Sequence, residues 1–375
     1  MEKIVPPIIA AKKVIKPFKT YQVLIPVLLG LFVIGWLFLD EFNPEVFFSF
    51  NFTIFSVMFL LLALFLMLMR DFGMMWRFRL LTDKELSWKQ AFHINVLSEF
   101  TSAVTPAAVG GSSLVVIFLI KEGINAGRST TIMFVNLFLD ELFFLIVCPI
   151  VFLFIPINQI FNSSSVIVSS FAYIFTGLYI TRFIWTSIMF IGIFKRPDWI
   201  KHILLTLFRL PVLRRWYSNV ELLTNNLVQA SHDIGKHSYL FWAKAFGLTL
   251  FSWTSRFLVV NAVFMAFNPQ NLHHLVIFAR QLILWLFMVV SPTPGGSGVS
   301  EYVFKEYYKD VFTSKYSESA IIFVTLIWRI ISYYLYLILG LLVIPNWIKK
   351  SFTKNIPDTE NTFVENEYSG KTKNN

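Results

Sequence analysis

The chain has 375 residues, of which 56% are hydrophobic and 14% charged, and its mean hydropathy is +0.65. Soluble domains carry roughly 25% charged residues, so this composition excludes a soluble globular protein and indicates an integral membrane protein with several spans. The formal net charge of +10 does not indicate nucleic acid, because the basic residues lie between the apolar runs, as in the positive-inside distribution. The single cysteine, Cys148, lies within an apolar run, which excludes a disulfide framework and a cysteine-based metal site.

Membrane spans are predicted wherever about 20 mostly apolar residues occur in succession. Six segments meet this requirement: 21–39, 50–69, 130–156, 165–194, 240–266 and 318–345. The first is interpreted as an uncleaved span, because no cleavage-site pattern follows it. Two further segments, 91–120 and 274–312, are long enough only if their polar interruptions are ignored.

The orientation of the spans follows from lysine and arginine in the short connecting segments. Basic segments are predicted to be cytoplasmic: the N-terminus 1–20, the loop 70–89, the stretch 195–239 and a polar, disordered tail 346–375. The segments 40–49 and 157–164 have no basic residue and are predicted to be external. With these sides fixed, 91–120 must enter and return from the cytoplasm and 274–312 from outside, although a single full crossing by 274–290 remains an alternative.

The two interrupted segments share a motif. Thr105-Pro106 is followed by Gly110-Gly111-Ser112, and Thr293-Pro294 is followed by Gly295-Gly296-Ser297, at an offset of 188 residues. The motif lies in two span–hairpin–span units, 50–156 and 240–345, within a membrane domain 21–345. The connector 157–239 contains one extra span, which inverts the second unit. The predicted fold is therefore an all-α polytopic membrane protein with six full spans and two re-entrant, broken helical hairpins in an inverted repeat.

Helix breaks inside a bilayer favour a binding site. Proline removes a backbone donor, and irregular backbone is tolerated at membrane depth only where it is buried in protein or lines a watery cavity. Glycine permits close approach of a ligand, and a helix that restarts points its positive end at an anion. Inverted repeats with matched breaks are typical of transport sites near the bilayer midplane. The alternative is tight packing of helices through small residues.

Ionisable residues within spans are functional candidates by default. The candidates are Glu99, Asp140, Glu141, Arg182, Arg256, Arg280, Glu301 and Arg329. The surplus of arginine suits a phosphate, which the guanidinium grips with two hydrogen bonds. Glu141 and Arg329 each follow the threonine of their motif by 36 residues, so they are expected to approach each other or a common polar cavity. The alternative is a buried ion pair that only locks the two halves together.

The connector has an amphipathic, basic part. Aromatic and leucine residues alternate with basic residues between Trp199 and Trp216. This pattern is typical of a helix that lies on the cytoplasmic leaflet and contacts anionic lipid. An ordinary loop helix packed on the bundle is an equally good interpretation.

The late motif "SPTPGGSGVSE" and the early "TPAAVGG", which follows Ser98-Glu99-Phe100-Thr101, resemble the lysylphosphatidylglycerol synthase transmembrane region family, also called the flippase-like domain family. The resemblance covers about residues 20–345, although Ala107 and Ala108 stand where that family commonly has glycine. It implies a multi-pass protein of the bacterial cytoplasmic membrane that moves a lipid between leaflets. Some members are fused to a soluble aminoacyltransferase domain. This chain ends about 30 residues after its last predicted span, so that synthase activity is not expected.

The leading hypothesis is a translocase of a phospholipid or polyprenyl-phosphate, with membrane lipids as partners and no enzymatic activity, cofactor or metal. The expected ligand residues of the anionic headgroup are Arg256, Arg280, Arg329, Thr105, Gly110, Gly111, Thr293, Gly295 and Gly296. The expected coupling or charge-balancing residues are Glu99, Asp140, Glu141, Arg182 and Glu301. Three alternatives remain: an ion- or proton-coupled transporter of a small anion, an intramembrane enzyme acting on a lipid phosphate, and an accessory subunit.

Overall fold

The computed structural model describes most of the membrane domain. It covers residues 53–105, 109–155, 157–160, 166–209, 217–267, 272–311 without Pro292 and Pro294, and 317–353. Within these ranges every regular element is a helix and no strand occurs. The predicted span 21–39, the N-terminal segment 1–20 and residues 354–375 of the tail lie outside the described residues. The predicted disordered tail begins too early, since residues 346–353 belong to the last helix.

The described helices are bounded as follows. They are α1 (Ile54–Leu81), α2 (Trp88–Val104), α3 (Val109–Lys121), α4 (Ala126–Phe154), the short α5 (Ile157–Ile160), α6 (Val166–Phe190), α7 (Pro197–Leu207), α8 (Tyr217–Gly235), α9 (Tyr239–Phe267), α10 (His274–Val290), α11 (Val299–Tyr308), α12 (Ser317–Arg329) and α13 (Leu335–Thr353). A π-helical turn, Ile191–Lys195, follows α6, and another, Ile330–Tyr334, joins α12 to α13.

Five of these helical stretches are long and apolar enough to cross a membrane. They are Ile54–Leu81, Ala126–Phe154, Tyr173–Lys195, Tyr239–Phe267 and Ala320–Ile344. Each coincides with one of the predicted spans from 50–69 onward, so the multi-pass helical architecture is confirmed. The remaining predicted span, 21–39, is not among the described residues.

Proline sets the position of both helix breaks. The residue before a proline is driven out of the helical region by the proline ring. Thr105, which precedes Pro106, has ψ 143° and ends α2, and Ser291, which precedes Pro292, has ψ 127° and ends α10. The Thr101 carbonyl accepts from both the backbone N–H of Thr105, at 3.1 Å, and the Thr105 hydroxyl, at 2.6 Å, which secures the end of the helix.

The first interrupted segment is a hairpin. The Gln90 Nε2 at the start of α2 donates to the Glu122 carbonyl, directly after α3, at 3.4 Å. The chain therefore turns back at the break, and both ends of the hairpin lie together. The Trp347 Nε1 of α13 donates to the Glu122 carboxylate at 2.8 Å, which places the end of α13 at the same level.

The second interrupted segment folds back in the same way. The Tyr308 hydroxyl at the end of α11 donates to the Ile277 carbonyl near the start of α10 at 2.9 Å. The Gln281 Nε2 donates to the same hydroxyl at 2.9 Å. Because α10 and α11 run antiparallel, the segment is a hairpin and not one continuous crossing.

The two halves of the chain pack through corresponding helices. The first long helices, α1 and α9, pack along each other. The hairpin arm α2 packs against α13, and the hairpin arm α10 packs against α4. Each half therefore supports the broken helix of the other half.

The amphipathic part of the connector fits both of its interpretations. Helix α7 packs on α8, and α8 packs on α4, where the Thr131 hydroxyl donates to the Leu227 carbonyl at 3.4 Å. The apolar side chains at every fourth position of α7, Trp199, Ile203 and Leu207, remain exposed. Such a stripe suits contact with lipid.

Substitution of Gly340 tests the contact between α13 and α2. A Cβ atom at this position would overlap the Phe100 ring and lie 2.6 Å from the Phe100 Cβ, which is fixed to its backbone. Because overpacking of this kind costs about 1–3 kcal/mol, we expect Gly340→Ala to lower the free energy of unfolding by that amount. Titration of the detergent-solubilised protein with denaturant measures it. A Cβ at Gly247 would meet no atom within 4 Å, so Gly247→Ala should be neutral or slightly stabilising.

Candidate functional site

The two hairpin tips meet. Gly295 has φ +58° and packs so closely that a Cβ would overlap the Tyr333 ring and lie 3.0 Å from the carbonyl of Ala103, at the end of α2. The Tyr333 hydroxyl donates to the same carbonyl at 3.2 Å and accepts from the Ser297 hydroxyl at 3.4 Å. Tyr333 therefore joins the second tip to the first.

A cavity of about 90 Å³ lies beside this junction. Its walls come from both hairpins, from α9 and from the α12–α13 region, and they include Glu99, Arg256, Trp285, Arg329, Tyr333 and Tyr336. A cavity of about 10–15 Å³ already holds one water, so this space can admit a group as large as a phosphate. Charged and aromatic side chains from segments far apart in the sequence therefore converge at this cavity.

Arg329 is held firmly by the second tip. Its side chain is 2% exposed, and its Nε donates to a Glu301 carboxylate oxygen at 2.6 Å. Its Nη2 donates to the Ser300 hydroxyl and, at 3.4 Å, to the Gly295 carbonyl. The other Glu301 oxygen accepts from the Gly298 N–H at 2.6 Å and from Ser300 at 2.9 Å. The pair thus fixes the shape of the tip.

Arg256 is held more loosely. Its Nη1 donates to Glu99 at 3.4 Å, the longest arginine–carboxylate contact among the described residues. Its guanidinium lies 4.5 Å from the centre of the Trp285 ring, a cation–π distance. Glu99 is also bonded to Arg70. Arg256 is therefore the arginine with the most capacity to bind a ligand in the cavity.

A polar network lies behind Glu99. Arg70 donates to Asp71 at 2.7 Å, and the same carboxylate accepts from Asn95 at 3.0 Å and from the Tyr336 hydroxyl at 2.7 Å. The sequence prediction missed Arg70 and Asp71, because it assigned them to the loop 70–89, whereas α1 continues to Leu81. The apolar residues Met74, Met75 and Trp76 were the available signal that the helix continues.

Two predicted charge partners form ion pairs away from the cavity. Asp140 accepts from Arg77 at 2.6 Å and from the Trp253 Nε1 at 2.8 Å. Glu141 accepts from Arg182 at 2.8 Å. The expected approach of Glu141 to Arg329 is wrong, since Arg329 pairs with Glu301 and Glu141 is not among the residues that line the cavity.

Arg280 lies at the base of the second hairpin and not at its tip. It binds both oxygens of Asp310, at 2.5 and 2.7 Å, and donates to the carbonyls of Tyr307 and Gln159 at 2.6 and 2.9 Å. These contacts close the hairpin and tie it to α5. The predicted surplus of arginine left out Asp71 and Asp310. With these two carboxylates included, a partner is present for each of Arg70, Arg77, Arg182, Arg256, Arg280 and Arg329.

The motif residues fall into two groups. Gly295 and Gly296 line the cavity with positive φ, and Gly298, at φ +87°, precedes α11. Thr105 ends α2, Gly110 and Gly111 lie in the first turn of α3, and the Thr293 hydroxyl bonds to Ser291 at 2.8 Å. Of the described side chains in this group, Thr105 and Thr293 are not among those that line the cavity.

These features define a multi-pass helical membrane protein with a small cavity, lined in part by charged side chains, where two broken helices meet. The chain belongs to the family described as the lysylphosphatidylglycerol synthase TM region, which it matches over residues 23–340. The resemblance inferred from the two motifs is thereby confirmed. The chain is also similar to a UPF0104 membrane protein of Archaeoglobus fulgidus, with 23% identity over 309 residues, which is 79% of this chain and 89% of that protein. No solved structure matches the chain.

Proposed function

We propose that the protein is a lipid translocase that carries an anionic headgroup through the cavity while the lipid tails remain in the bilayer. The observation that carries the proposal is the position of Arg256, a loosely paired arginine that lines a phosphate-sized cavity where two broken helices meet. Membership of a membrane-protein family is consistent with this role. The substrate class is a phospholipid or a polyprenyl-phosphate, and no enzymatic step is proposed.

In this proposal the two halves of the chain form an inverted repeat, which provides the route for alternating access. The order long helix, two hairpin arms, long helix occurs in α1–α4 and again from α9 to α13. The open end of the first hairpin lies near Trp347, just after the membrane-crossing stretch Ala320–Ile344. The second hairpin opens near Gln159, beyond the end of α4. We propose that the hairpins enter from opposite membrane faces, with both termini cytoplasmic and 21–39 as the sixth span, as the sequence predicts. Rocking of one repeat against the other would expose the cavity to each leaflet in turn.

The cavity suits the headgroup and not the whole lipid. A guanidinium offers two parallel hydrogen bonds to a phosphate, and Arg256 has one long hydrogen bond to a carboxylate among the described residues. The hydroxyls of Ser102, Ser332 and Tyr336 lie on the same walls. The apolar remainder of a lipid would stay in the membrane beside the bundle.

Removal of the Arg256 charge tests the proposal. In proteoliposomes with a trace of labelled anionic phospholipid, we expect Arg256→Gln to slow movement between leaflets by about tenfold or more, since a charge-assisted hydrogen bond contributes about 1.5–3 kcal/mol. Arg256→Lys keeps the charge but not the paired donors, so its rate of lipid movement should lie between those of the wild type and Arg256→Gln. The control is Lys244→Gln, because Lys244 lies on the same helix with an exposed side chain.

Two results would contradict the proposal. One is the absence of lipid movement by the wild-type protein with phosphatidylglycerol and undecaprenyl phosphate. The other is an equal rate for wild type and Arg256→Gln. If the protein instead released entrapped inorganic phosphate without moving lipid, the anion-transporter alternative would replace the lipid translocase.

A further inference from the structure

The ionised side chains around the cavity balance one another. Three arginines and three carboxylates form this group: Arg70, Arg256, Arg329, Asp71, Glu99 and Glu301. Elsewhere in the described bundle, Arg77 with Asp140, Arg182 with Glu141 and Arg280 with Asp310 are balanced as well. With no anion bound, the site therefore carries no net charge.

An anionic headgroup would disturb this balance. Uncompensated charge inside a low-dielectric protein interior is strongly unfavourable. A monoanion that entered the site unaccompanied would leave one excess negative charge beside Glu99, whose carboxylate already lies 3.4 Å from Arg256. Either the anion is excluded, or one positive charge enters with it.

Glu99 is the carboxylate suited to accept that charge as a proton. Asp71 accepts hydrogen bonds from Asn95 on α2, from Tyr336 on α13 and from its own neighbour Arg70. Glu301 is fully buried and accepts from Arg329, Ser300 and the Gly298 N–H. Among the described residues, Glu99 has only arginine partners, and the contact to Arg256 is long at 3.4 Å. Of the three carboxylates, Glu99 alone is among the residues that line the cavity.

We infer that Glu99 binds one proton each time an anionic headgroup binds Arg256, so that lipid movement is coupled to proton movement. This inference rests on the proposed translocase function. The headgroup replaces Glu99 at Arg256, and Glu99 takes a proton from the water on the side to which the cavity is open. When the headgroup leaves on the other side, the proton leaves to water there and Glu99 pairs with Arg256 again. The net charge of the site is the same in both states.

The charged and titratable groups that face Glu99 are consistent with this exchange. They come from α1, α9, the α12–α13 region and the cavity wall: Arg70, Asp71, Arg256, Arg329, Tyr333 and Tyr336. Arg70 stays bonded to Asp71 when Glu99 is protonated, so it does not lose its counterion. The tyrosines serve as hydrogen-bond donors to Asp71 and to the Ala103 carbonyl.

A pH gradient across proteoliposomes tests the coupling. With the membrane potential clamped, one proton per monoanionic lipid predicts that a gradient of one pH unit holds labelled phosphatidylglycerol at a leaflet ratio of about tenfold. The lipid should accumulate in the leaflet that faces the more alkaline side, because lipid and proton move together. A zwitterionic lipid should show no such ratio. Entrapped inorganic phosphate, as a separate arm, distinguishes a free anion from a lipid headgroup.

Three variants assign the effect to Glu99. Glu99→Gln resembles the protonated residue, so labelled lipid should still move but should distribute evenly whatever the gradient. Glu99→Asp keeps a titratable group and should keep the gradient response. Asp140→Asn removes a comparable carboxylate from an arginine pair that does not line the cavity, and it should also keep the response.

The outcomes separate the two proposals. No lipid movement by the wild-type protein contradicts the translocase function itself. Movement with an even distribution under the gradient leaves that function intact and overturns the coupling. A tenfold ratio that survives in Glu99→Gln, or that disappears in Asp140→Asn, overturns the assignment to Glu99. If Glu99→Gln does not fold, the response of the wild type and of Glu99→Asp decides the coupling.

Discussion

Arg329→Met is expected to lower the free energy of unfolding by about 3–5 kcal/mol, because it leaves a buried carboxylate without its cation. Glu301 has no exposed side-chain surface, and Arg329 is its ionic partner at 2.6 Å. The substitution also removes the donor to Ser300 and to the Gly295 carbonyl. The loss can be measured by denaturant titration in detergent micelles.

The double variant Glu301→Gln with Arg329→Met tests whether the unpaired charge, and not the smaller side chain, lowers the stability. Replacement of both charges in a buried pair is often neutral or stabilising, so the double variant should recover most of the stability. Arg182→Met is the control, because Arg182 and Glu141 are 13% and 18% exposed and solvent can partly compensate the remaining charge. A loss as large in Arg182→Met as in Arg329→Met would show that burial of the pair at the tip is not the cause.

Gly295→Ala is expected to separate the two hairpin tips. The φ of +58° disfavours any residue with a Cβ, at a cost of about 1–2 kcal/mol. The added methyl would also overlap the Tyr333 ring and press on the Ala103 carbonyl, which is backbone and cannot rotate away. We therefore expect both lower stability and loss of lipid movement, measured by thermal unfolding and by the leaflet assay.

The neighbouring glycine supplies the matched control. Gly296 has φ +68°, so Gly296→Ala imposes similar backbone strain. Its Cβ, however, would make only ordinary contacts of 3.4–3.5 Å with the flexible Met288 side chain. Gly296→Ala should therefore lose about 1–2 kcal/mol from strain and keep lipid movement. Equal effects of both substitutions on transport would rule out contact between the tips as the reason for Gly295.

Sequence patterns predicted the features that depend on local chemistry. Runs of apolar residues predicted the five described spans, since the length needed to cross the hydrocarbon core is a property of the single segment. Thr105 and Ser291 end their helices where the sequence predicts, because the following proline acts on its immediate neighbour.

The pairing of charges was beyond prediction from the sequence. Glu141 and Arg329 occupy equivalent positions in the two motif-centred units, but equivalence in a repeat implies proximity only for residues close to the symmetry axis. Helix rotation instead directs Glu141 to Arg182 and Arg329 to Glu301. The partners of Arg280 were equally unpredictable, because they come from α5 and from Asp310, just after the end of α11.

The sequence by itself determined the class of the protein, its five described spans, its two breaks and its family. These depend on hydropathy, on proline and glycine, and on short motifs, all of which act within a few residues along the chain. Only the tertiary structure decided which arginine is available to a ligand. Arg256 and Arg329 look alike in sequence, but one has a single long bond to a shared carboxylate and the other is enclosed by Glu301, Ser300 and Gly295. That difference arises from contacts between segments far apart in the chain, which no local pattern encodes.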